Sequence, residues 1–144
     1  MAFTVKVLLG SEDLSDAFWL RQRVFTDEQG YPADIDVDEN DARAFHAVVY
    51  DDLKPVATAR AFQSEADGEY RFGRVCNLKE YRKRGLARLM LHTLELVVRQ
   101  NGGCSVVLHS QTQAQGFYEK CGYTAEGDVY MEDGGPHITM RKSL

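Results

Sequence analysis

Hydrophobic and polar residues alternate along several short stretches of the chain, a pattern typical of β-strands that bury one face. The first such stretch is Phe3 to Leu9, and the apolar run from Cys104 to His109 indicates a strand buried on both faces. The other strands predicted in this way are Ala44 to Tyr50, Pro55 to Phe62, Glu69 to Leu78, Thr124 to Met131 and His137 to Arg141. We therefore expect a sheet of six to seven strands.

Three other segments place residues on one face at the spacing of an α-helix. The first begins at Ser11, whose side chain can cap it, and extends to about Thr26 or Glu28. The second follows Gly85 and is stopped by Gly102-Gly103, and the third is short. Their helical faces are Leu14, Phe18, Arg21 and Phe25; Leu86, Leu89, Met90, Thr93, Leu94, Val97 and Val98; and Ala114, Phe117, Tyr118 and Cys121.

The predicted elements follow the order β-α-β-β-β-α-β-α-β-β. This order predicts an α/β (α+β) fold, with a mixed sheet that has helices on both faces. The stretch from Gln29 to Asp41 holds a glycine, a proline and five acids, which is typical of a loop with room for a turn of helix. A length of 144 residues fits one domain covering positions 1–144.

Composition excludes several classes of protein. A hydrophobic content of 44% with 27% charged residues is typical of a soluble globular domain, and no apolar run approaches the roughly 18 residues of a membrane span. The first residues do not resemble a signal peptide. Cys76, Cys104 and Cys121 are odd in number and lack metal-ligand spacing. We expect a cytoplasmic protein without a structural disulfide, a metal site or a membrane partner.

Charge is distributed unevenly along the chain. Residues 27–52 contain nine acids against Arg43 alone, whereas residues 71–99 contain eight bases against two acids. The basic half suits a polyanionic cofactor, and the acidic half suits a cationic amine, unless it is only a solvated face. A net charge of −5 argues against a nucleic-acid partner, because phosphate neutralisation dominates such binding.

The basic residues concentrate in one turn, within the segment Arg74 to Arg88, RVCNLKEYRKRGLAR. A strand ends there, a cationic turn follows, and Gly85 opens a helix whose first N–H groups lack internal partners. A glycine at that point lets the backbone approach a phosphate closely. The turn therefore predicts a pyrophosphate site, although it matches neither a P-loop nor a Rossmann fingerprint.

Two motifs resemble the GNAT superfamily of N-acetyltransferases. Arg82 to Ala87, RKRGLA, resembles the superfamily's [RQ]-x-x-G-x-[GA] signature, and Ala114 to Tyr123 resembles its second hallmark, A-x-x-F-Y-x-x-x-G-[FY]. Their order and spacing both agree with the superfamily. Further residues resemble those of the small bacterial ElaA-type subgroup. They are Arg23-Val24-Phe25, Asp27-Glu28-Gln29, the acidic run to Asp41, His46 and Pro136-His137.

The resemblance implies a mostly antiparallel twisted sheet in which the strand ending near Leu78 splays from the strand near Leu108. Acetyl-CoA would lie in the gap, and its acetyl group would pass directly to a primary amine of a small cationic acceptor. The residues that would contact the cofactor are Val75, Cys76, Asn77, Leu78, Arg82, Lys83, Arg84, Gly85, Leu86, Ala87, Arg88, Gln111, Ala114, Phe117 and Tyr118.

The resemblance also implies individual roles. Tyr118 would be the general acid, because a phenol with a pKa near 10 stays protonated at pH 7 and can donate to the departing sulfur. Backbone N–H groups near Cys76 and Asn77 would stabilise the charge on the carbonyl oxygen, although Asn77 replaces the family's usual aliphatic residue. The acceptor contacts would be Phe25, Glu28, Gln29 and His137.

The base that deprotonates the amine stays unassigned. Many relatives carry a glutamate on the strand before the basic turn, but residues 71–78 contain no acid. Glu28 and His46 are the first catalytic candidates, followed by His109, His137, the loop aspartates or a water chain. The missing acid keeps open a non-catalytic CoA-binding sensor or interaction module, and a longer acyl donor is a second alternative. The resemblance also implies a homodimer as one option, since dimers are common among such folds, and the oligomeric state stays open.

Overall fold

One sheet of seven strands runs through the computed structural model, which describes residues 2–144. The spatial order is β1-β2-β3-β4-β5-β7-β6, and every neighbouring pair is antiparallel except β4 and β5. The mixed, mostly antiparallel sheet is therefore confirmed. The strands are β1 Phe3–Leu9, β2 Phe45–Asp51, β3 Lys54–Gln63, β4 Glu69–Asn77, β5 Ser105–Gln111, β6 Thr124–Glu132 and β7 Gly135–Ser143.

Three α-helices accompany the sheet within residues 2–144. Helix α1 is Ser15–Arg21 and continues as a π-helical segment, Gln22–Glu28, while α2 is Leu86–Gln100 and α3 is Gln115–Lys120. Short 3₁₀ turns occupy Ala33–Ile35, Glu39–Arg43, Lys79–Tyr81 and Thr112–Ala114. Within residues 2–144 no helix is both long and apolar enough to span a bilayer.

The first helix begins later than its sequence predicts. Ser11 does not cap it, because the Glu12 side chain folds back to accept the N–H of Leu9 at 2.6 Å and holds this segment in a turn. Asp13 then accepts the N–H of Ser15 at 3.0 Å, and the helix starts there. The predicted end near Glu28 is correct, but the last seven residues wind as a π-helix.

Helices cover both faces of the sheet. Helices α1 and α2 both contact β3. Arg60 of β3 and Arg21 of α1 both donate to the Asp41 carboxylate. The Arg60 side chain therefore points to the face of the sheet that α1 covers. Side chains alternate along a strand, so the fully buried Ala61 points to the opposite face, where α2 packs.

Strands β4 and β5 separate halfway along their length. They pair only between Glu69–Phe72 and Ser105–Leu108. Beyond that point β4 contains a bulge: Gly73 pairs with Arg60 and Cys76 with Thr58, so two residues of β4 oppose one of β3. Because a bulge bends its strand, Gly73–Asn77 keep β3 on one side and have no strand on the other.

A buried cluster of charges anchors the acidic segment to the sheet. Arg21, which is 1% exposed, binds Asp36 at 2.9 Å and Asp41 at 2.7 Å. Arg60 binds Asp38 at 2.7 Å and Asp41 at 2.8 Å. Burial alone would raise the pKa of Asp41, but the hydrogen bonds and charge of Arg21, helped by Arg60, hold it well below its usual range.

The same cluster holds the bulge of β4 in place. Arg74, which has a φ of +51°, donates to the backbone oxygen of Asp36 at 3.0 and 3.1 Å and to the Asp38 carboxylate at 3.3 Å. A left-handed backbone at a non-glycine residue is strained and persists only where its surroundings fix it. Three of the five acids of the predicted loop, Asp36, Asp38 and Asp41, are thus bound to three arginines, whereas Asp34 and Glu39 stay exposed.

We expect Asp41→Asn to destabilise the protein by about 3–5 kcal/mol, because it removes the shared partner of two buried guanidinium groups. Denaturant unfolding measures the loss. The control is Asp34→Asn, since Asp34 is exposed and makes no side-chain bond within residues 2–144; its effect should stay within about 0.5 kcal/mol. Equal effects of the two variants would contradict a stabilising role for the cluster.

The sign of the pH dependence follows from the lowered pKa of Asp41. A carboxyl whose pKa is depressed by folding contributes its full stability above the unfolded value of about 3.9 and loses it as the pH falls toward the folded value. The difference in the free energy of unfolding between the unmodified protein and Asp41→Asn should therefore become smaller below about pH 4.

Candidate active site

Two cavities open where β4 and β5 separate, and they share the side chains of four residues, Gln29, Val75, Ala114 and Tyr118. The first, which we name the cleft cavity, lies between the divergent strands and the turn after β6, and Arg71, His109 and Asp133 are among its lining residues. The second, the loop cavity, lies over the basic turn and the start of α2. A ligand in one cavity can therefore reach a ligand in the other.

The loop cavity has the features of an anion site. Gly85 adopts a φ of +77°, and a Cβ at this position would meet no heavy atom within 4 Å, so the space above it is open. Leu89 donates its N–H to the Gly85 oxygen at 3.1 Å, whereas the N–H groups of Leu86–Arg88 bind no described residue and no side chain caps the helix. Three free donors at a helix N-terminus favour a phosphate.

Most residues predicted to contact the cofactor line the loop cavity. They are Val75, Cys76, Asn77, Arg82, Lys83, Gly85, Leu86, Ala87, Arg88, Ala114, Phe117 and Tyr118. Three lie elsewhere. Leu78 packs into the core, Gln111 lines the cleft cavity, and the Arg84 guanidinium lies 5.0 Å from the centre of the Tyr81 ring.

Tyr118 stands where the two cavities meet. Its hydroxyl makes no hydrogen bond with a described residue, while its ring makes edge contacts with Phe117 at 5.1 Å and Tyr123 at 6.0 Å. Burial, with a contribution from Cys121, raises the pKa of Tyr118 above its ordinary value. The phenol therefore stays protonated at neutral pH and is available as a donor.

Glu28 does not fit the predicted role of base or acceptor contact. It lines neither cavity, and its carboxylate forms a two-point ion pair with Arg82 at 2.6 and 2.7 Å. The hydrogen bond from Arg82 lowers the pKa of Glu28, which makes it a poorer proton acceptor. Glu28 instead ties the end of the π-helical segment to the basic turn, where Arg82 also donates to the Asn77 oxygen at 3.2 Å.

His46 does not fit the predicted catalytic role either. It is 1% exposed, lines neither cavity, and its Nε2 lies 2.9 Å from the Asp41 oxygen. Burial lowers the pKa of His46, so the ring is neutral at pH 7. Alternation along β2 turns it to the face that carries the charge cluster, and it is a structural hydrogen-bonding residue there.

The cleft cavity contains three of the predicted acceptor contacts, Phe25, Gln29 and His137. It also contains residues that the sequence did not single out, namely Tyr31, Arg71, Arg74, Glu132 and Asp133. The Asp133-Gly134 pair does indicate a hairpin between β6 and β7. The pair gives no sign of the register shift between Glu126 and Tyr130 that precedes Glu132 in β6. The position of Glu132 therefore could not be predicted from the sequence.

The polar side chains of the cleft cavity cluster around the Glu132 carboxylate. Its Oε1 lies 3.0 Å from His109 Nδ1, and Arg71 and His137 each approach its carboxylate at 3.9 Å. The ring of Tyr130 packs edge-on against His109 and stacks on His137. The four polar groups come from β4, β5, β6 and β7, so only the folded sheet brings them together.

Comparison with known proteins supports one family. Residues 12–144 match the model of the acetyltransferase (GNAT) domain. A Bacillus subtilis protein with an inferred acetyltransferase function is 40% identical over 141 residues, which cover 96% of this chain and 95% of that protein.

Solved structures agree with this match. An inferred N-acetyltransferase of Lactobacillus plantarum has a TM-score of 0.90 and 37% identity, covering 100% of this chain and 99% of that one. Escherichia coli ElaA has a TM-score of 0.86 and 30% identity, with coverage of 98% and 99%. An aminoglycoside 6′-N-acetyltransferase solved with coenzyme A shares the fold, with a TM-score of 0.78, 16% identity and coverage of 97% and 96%.

Burial raises the pKa of the Cys76 thiol to about 12, so we expect Cys76 to be inert although it lines the loop cavity. Iodoacetamide at about pH 8 should modify the exposed Cys104 in the folded protein and leave Cys76 unmodified. Peptide mass spectrometry measures both, and alkylation in denaturant is the control. Rapid native modification of Cys76 would reveal an activated nucleophile.

Proposed function

The chain belongs to the family of acetyltransferase (GNAT) domains and is an enzyme that uses acetyl-CoA, and on this basis we propose that it transfers acetyl directly to the primary amine of a small acceptor. The observation that carries this proposal is that the two cavities meet at Val75 and Tyr118. Bound acetyl-CoA supplies an acetyl group activated as a thioester. No covalent intermediate on the protein is needed, and the buried Cys76 thiol is unsuited to forming one.

The loop cavity is proposed to hold the cofactor. The free N–H groups of Leu86–Arg88 would bind the pyrophosphate, and the backbone of Val75–Asn77, which has no strand on one side, would pair with the cofactor's amides. The open space above Gly85 supports this assignment. Arg82 would act mainly by fixing the turn, because its guanidinium is already bound to Glu28.

Tyr118 is proposed to donate to the sulfur as it leaves. The raised pKa of the phenol lies above that of an ordinary thiol, near 8.5, so full transfer to the sulfur is uphill. The hydroxyl therefore stabilises the departing sulfur chiefly as a hydrogen-bond donor, and the proton that ends on the sulfur comes from the attacking nitrogen as the carbon–sulfur bond breaks. N–H groups of Cys76 and Asn77 are proposed to stabilise the carbonyl oxygen, each worth about 10²–10³-fold.

The acceptor is proposed to be cationic. Asp36, Asp38 and Asp41 are bound to arginines, so the acidic run as a whole is not the support for this choice. The support comes from Glu132 and Asp133, which line the cleft cavity. Asp133 makes no side-chain bond within residues 2–144, so its carboxylate is available to a positive charge.

We expect acetyl-CoA to raise Tm, whereas NAD should not. A ligand at 100 times its Kd stabilises a protein by about 2.7 kcal/mol, which corresponds to a shift of roughly 5–10 °C in a domain of this size. Differential scanning fluorimetry with acetyl-CoA, longer acyl-CoAs and CoA measures the response and ranks the donors.

Two glycines provide a matched pair of variants for this measurement. Gly85→Ala and Gly102→Ala place the same methyl group at φ values of +77° and +84°, and neither meets a neighbouring atom. Both should lower stability by about 1–2 kcal/mol, but only Gly85→Ala should reduce the shift caused by acetyl-CoA. Equal responses would contradict the assignment of the pyrophosphate to this turn.

We expect Tyr118→Phe to lower kcat by about 10²-fold while KM for acetyl-CoA changes less than about threefold, because the donor acts chiefly as the sulfur leaves. Steady-state kinetics with the first amine that supports turnover measures both. Tyr50→Phe is the control, since the Tyr50 hydroxyl binds Asp16 and lines neither cavity. An unchanged kcat in Tyr118→Phe would remove the donor role.

A further inference from the structure

The cleft cavity contains a histidine whose hydrogen bonds cannot all form at once. His109 Nδ1 lies 3.0 Å from Glu132 Oε1 and 3.1 Å from Arg71 Nη2. A guanidinium only donates and a carboxylate only accepts, so Nδ1 needs a proton to bind Glu132 and a lone pair to bind Arg71. The neutral ring therefore has two states, which differ in the nitrogen that carries the proton.

The contact with Glu132 decides between these states. If Nδ1 carried only a lone pair, two acceptors would face each other at 3.0 Å without a proton between them. With the proton on Nδ1, His109 donates to Glu132. Arg71 Nη2, which lies 3.1 Å from Nδ1, then loses its acceptor on the ring, but it still attracts the Glu132 carboxylate at 3.9 Å. The arrangement therefore favours a proton on Nδ1 and a lone pair on Nε2.

Nε2 is also the accessible nitrogen. It makes no hydrogen bond with any of residues 2–144, and the His109 side chain is 27% exposed where it lines the cleft cavity. His137 is less suitable, because its side chain is only 8% exposed and its Nδ1 lies 2.9 Å from the Gly135 oxygen. His109 thus has a ring nitrogen without a hydrogen bond in the tautomer that the Glu132 contact favours.

The charged and titratable groups around His109 come from three strands and a turn. They are Arg71 of β4, Tyr130 and Glu132 of β6, His137 of β7, and Asp133 in the turn after β6. Arg71 opposes a positive charge on the ring, whereas Glu132 binds Nδ1–H and favours that charge. Asp133 adds negative charge to the same cavity, so a proton on Nε2 is compensated locally.

We propose that His109 is the general base of this enzyme and that Glu132 is its positioning residue; the assignment rests on the proposed function. The acceptor's N–H bond breaks, the proton forms a bond to His109 Nε2, and the electron pair left on nitrogen attacks the acetyl carbon. The nitrogen's second proton ends on the sulfur that leaves. His109 returns its proton to solvent through the exposed edge of the ring.

Two acceptor probes of similar shape separate a base from a residue that only maintains structure. Ethylamine is protonated at neutral pH and must lose a proton, whereas 2,2,2-trifluoroethylamine is already neutral because its fluorines withdraw electrons. We expect His109→Gln, whose amide can keep both partners of Nδ1, to lose about 10²–10⁴-fold in kcat/KM with ethylamine. With trifluoroethylamine the loss should stay below about fivefold.

The pH profile and a matched variant complete the kinetic test. With ethylamine, kcat/KM of the unmodified protein should fall on the acid side of the profile, and this fall should flatten in His109→Gln. His92→Gln is the control, because His92 is exposed on α2 and lines neither cavity. Equal losses with both amines, or no loss with ethylamine, would overturn the proposal.

The tautomer is measured without turnover. Nitrogen-15 shifts of the imidazole should place the proton of neutral His109 on Nδ1. In Glu132→Ala the proton should move to Nε2, since Arg71 is then the remaining partner of Nδ1. A proton on Nε2 in the unmodified protein would contradict the assignment.

Failure of the wider function is distinguishable from failure of the base. If acetyl-CoA raises Tm but the unmodified protein acetylates neither amine, direct transfer to small amines is wrong and the base assignment falls with it. If the unmodified protein is active and His109→Gln lowers kcat/KM by the same factor with both amines, only the base assignment is wrong.

Discussion

The bulge in β4 is the constraint on which the site depends. An extra residue at Arg74–Val75 turns the strand away from β5, and this separation opens both cavities. It also leaves one side of Gly73–Asn77 without a strand partner, which an uninterrupted sheet would not allow. Backbone groups that a normal strand would use internally therefore become available to a ligand.

Keeping that bulge requires the charges that dominate the first half of the chain. Arg74 is held by the acidic segment, and the segment is held by Arg21 and Arg60 through Asp41. Buried charge clusters contribute little net stability compared with apolar packing, but removing one of their charged groups is strongly destabilising. The cluster is therefore better understood as fixing one backbone conformation, and stability and site geometry share the same residues.

Periodicity and turn chemistry were enough to predict most of this fold, because each strand buries one face and each helix one stripe. Local motifs also located the basic turn and Tyr118, which line the loop cavity, while their roles stay predictions. The errors concern residues whose role depends on distant partners. Glu28 sits at the end of a π-helical segment that brings it to Arg82, and alternation alone could not tell that His46 faces the charge cluster while His109 faces the cleft cavity. Glu132 follows a register shift that the residue pattern does not reveal.

The absence of an acid from residues 71–78 has a physical counterpart in the same part of β4. Arg71 and Arg74 line the cleft cavity from β4, and a carboxylate added beside them would form an ion pair and lose basicity. On β5 His109 also lies close to Arg71, at 3.1 Å, but its Nδ1 contacts the Glu132 carboxylate at 3.0 Å, and Arg71 approaches the same carboxylate at 3.9 Å. The Nε2 atom of His109 makes no hydrogen bond with residues 2–144, so it stays available to a proton, whereas a carboxylate beside Arg71 and Arg74 would already be bound. The proton acceptor and the hydrogen-bond donor to the sulfur then lie on different elements, His109 on β5 and Tyr118 on α3, so the proton taken by His109 and the proton that ends on the sulfur follow separate routes.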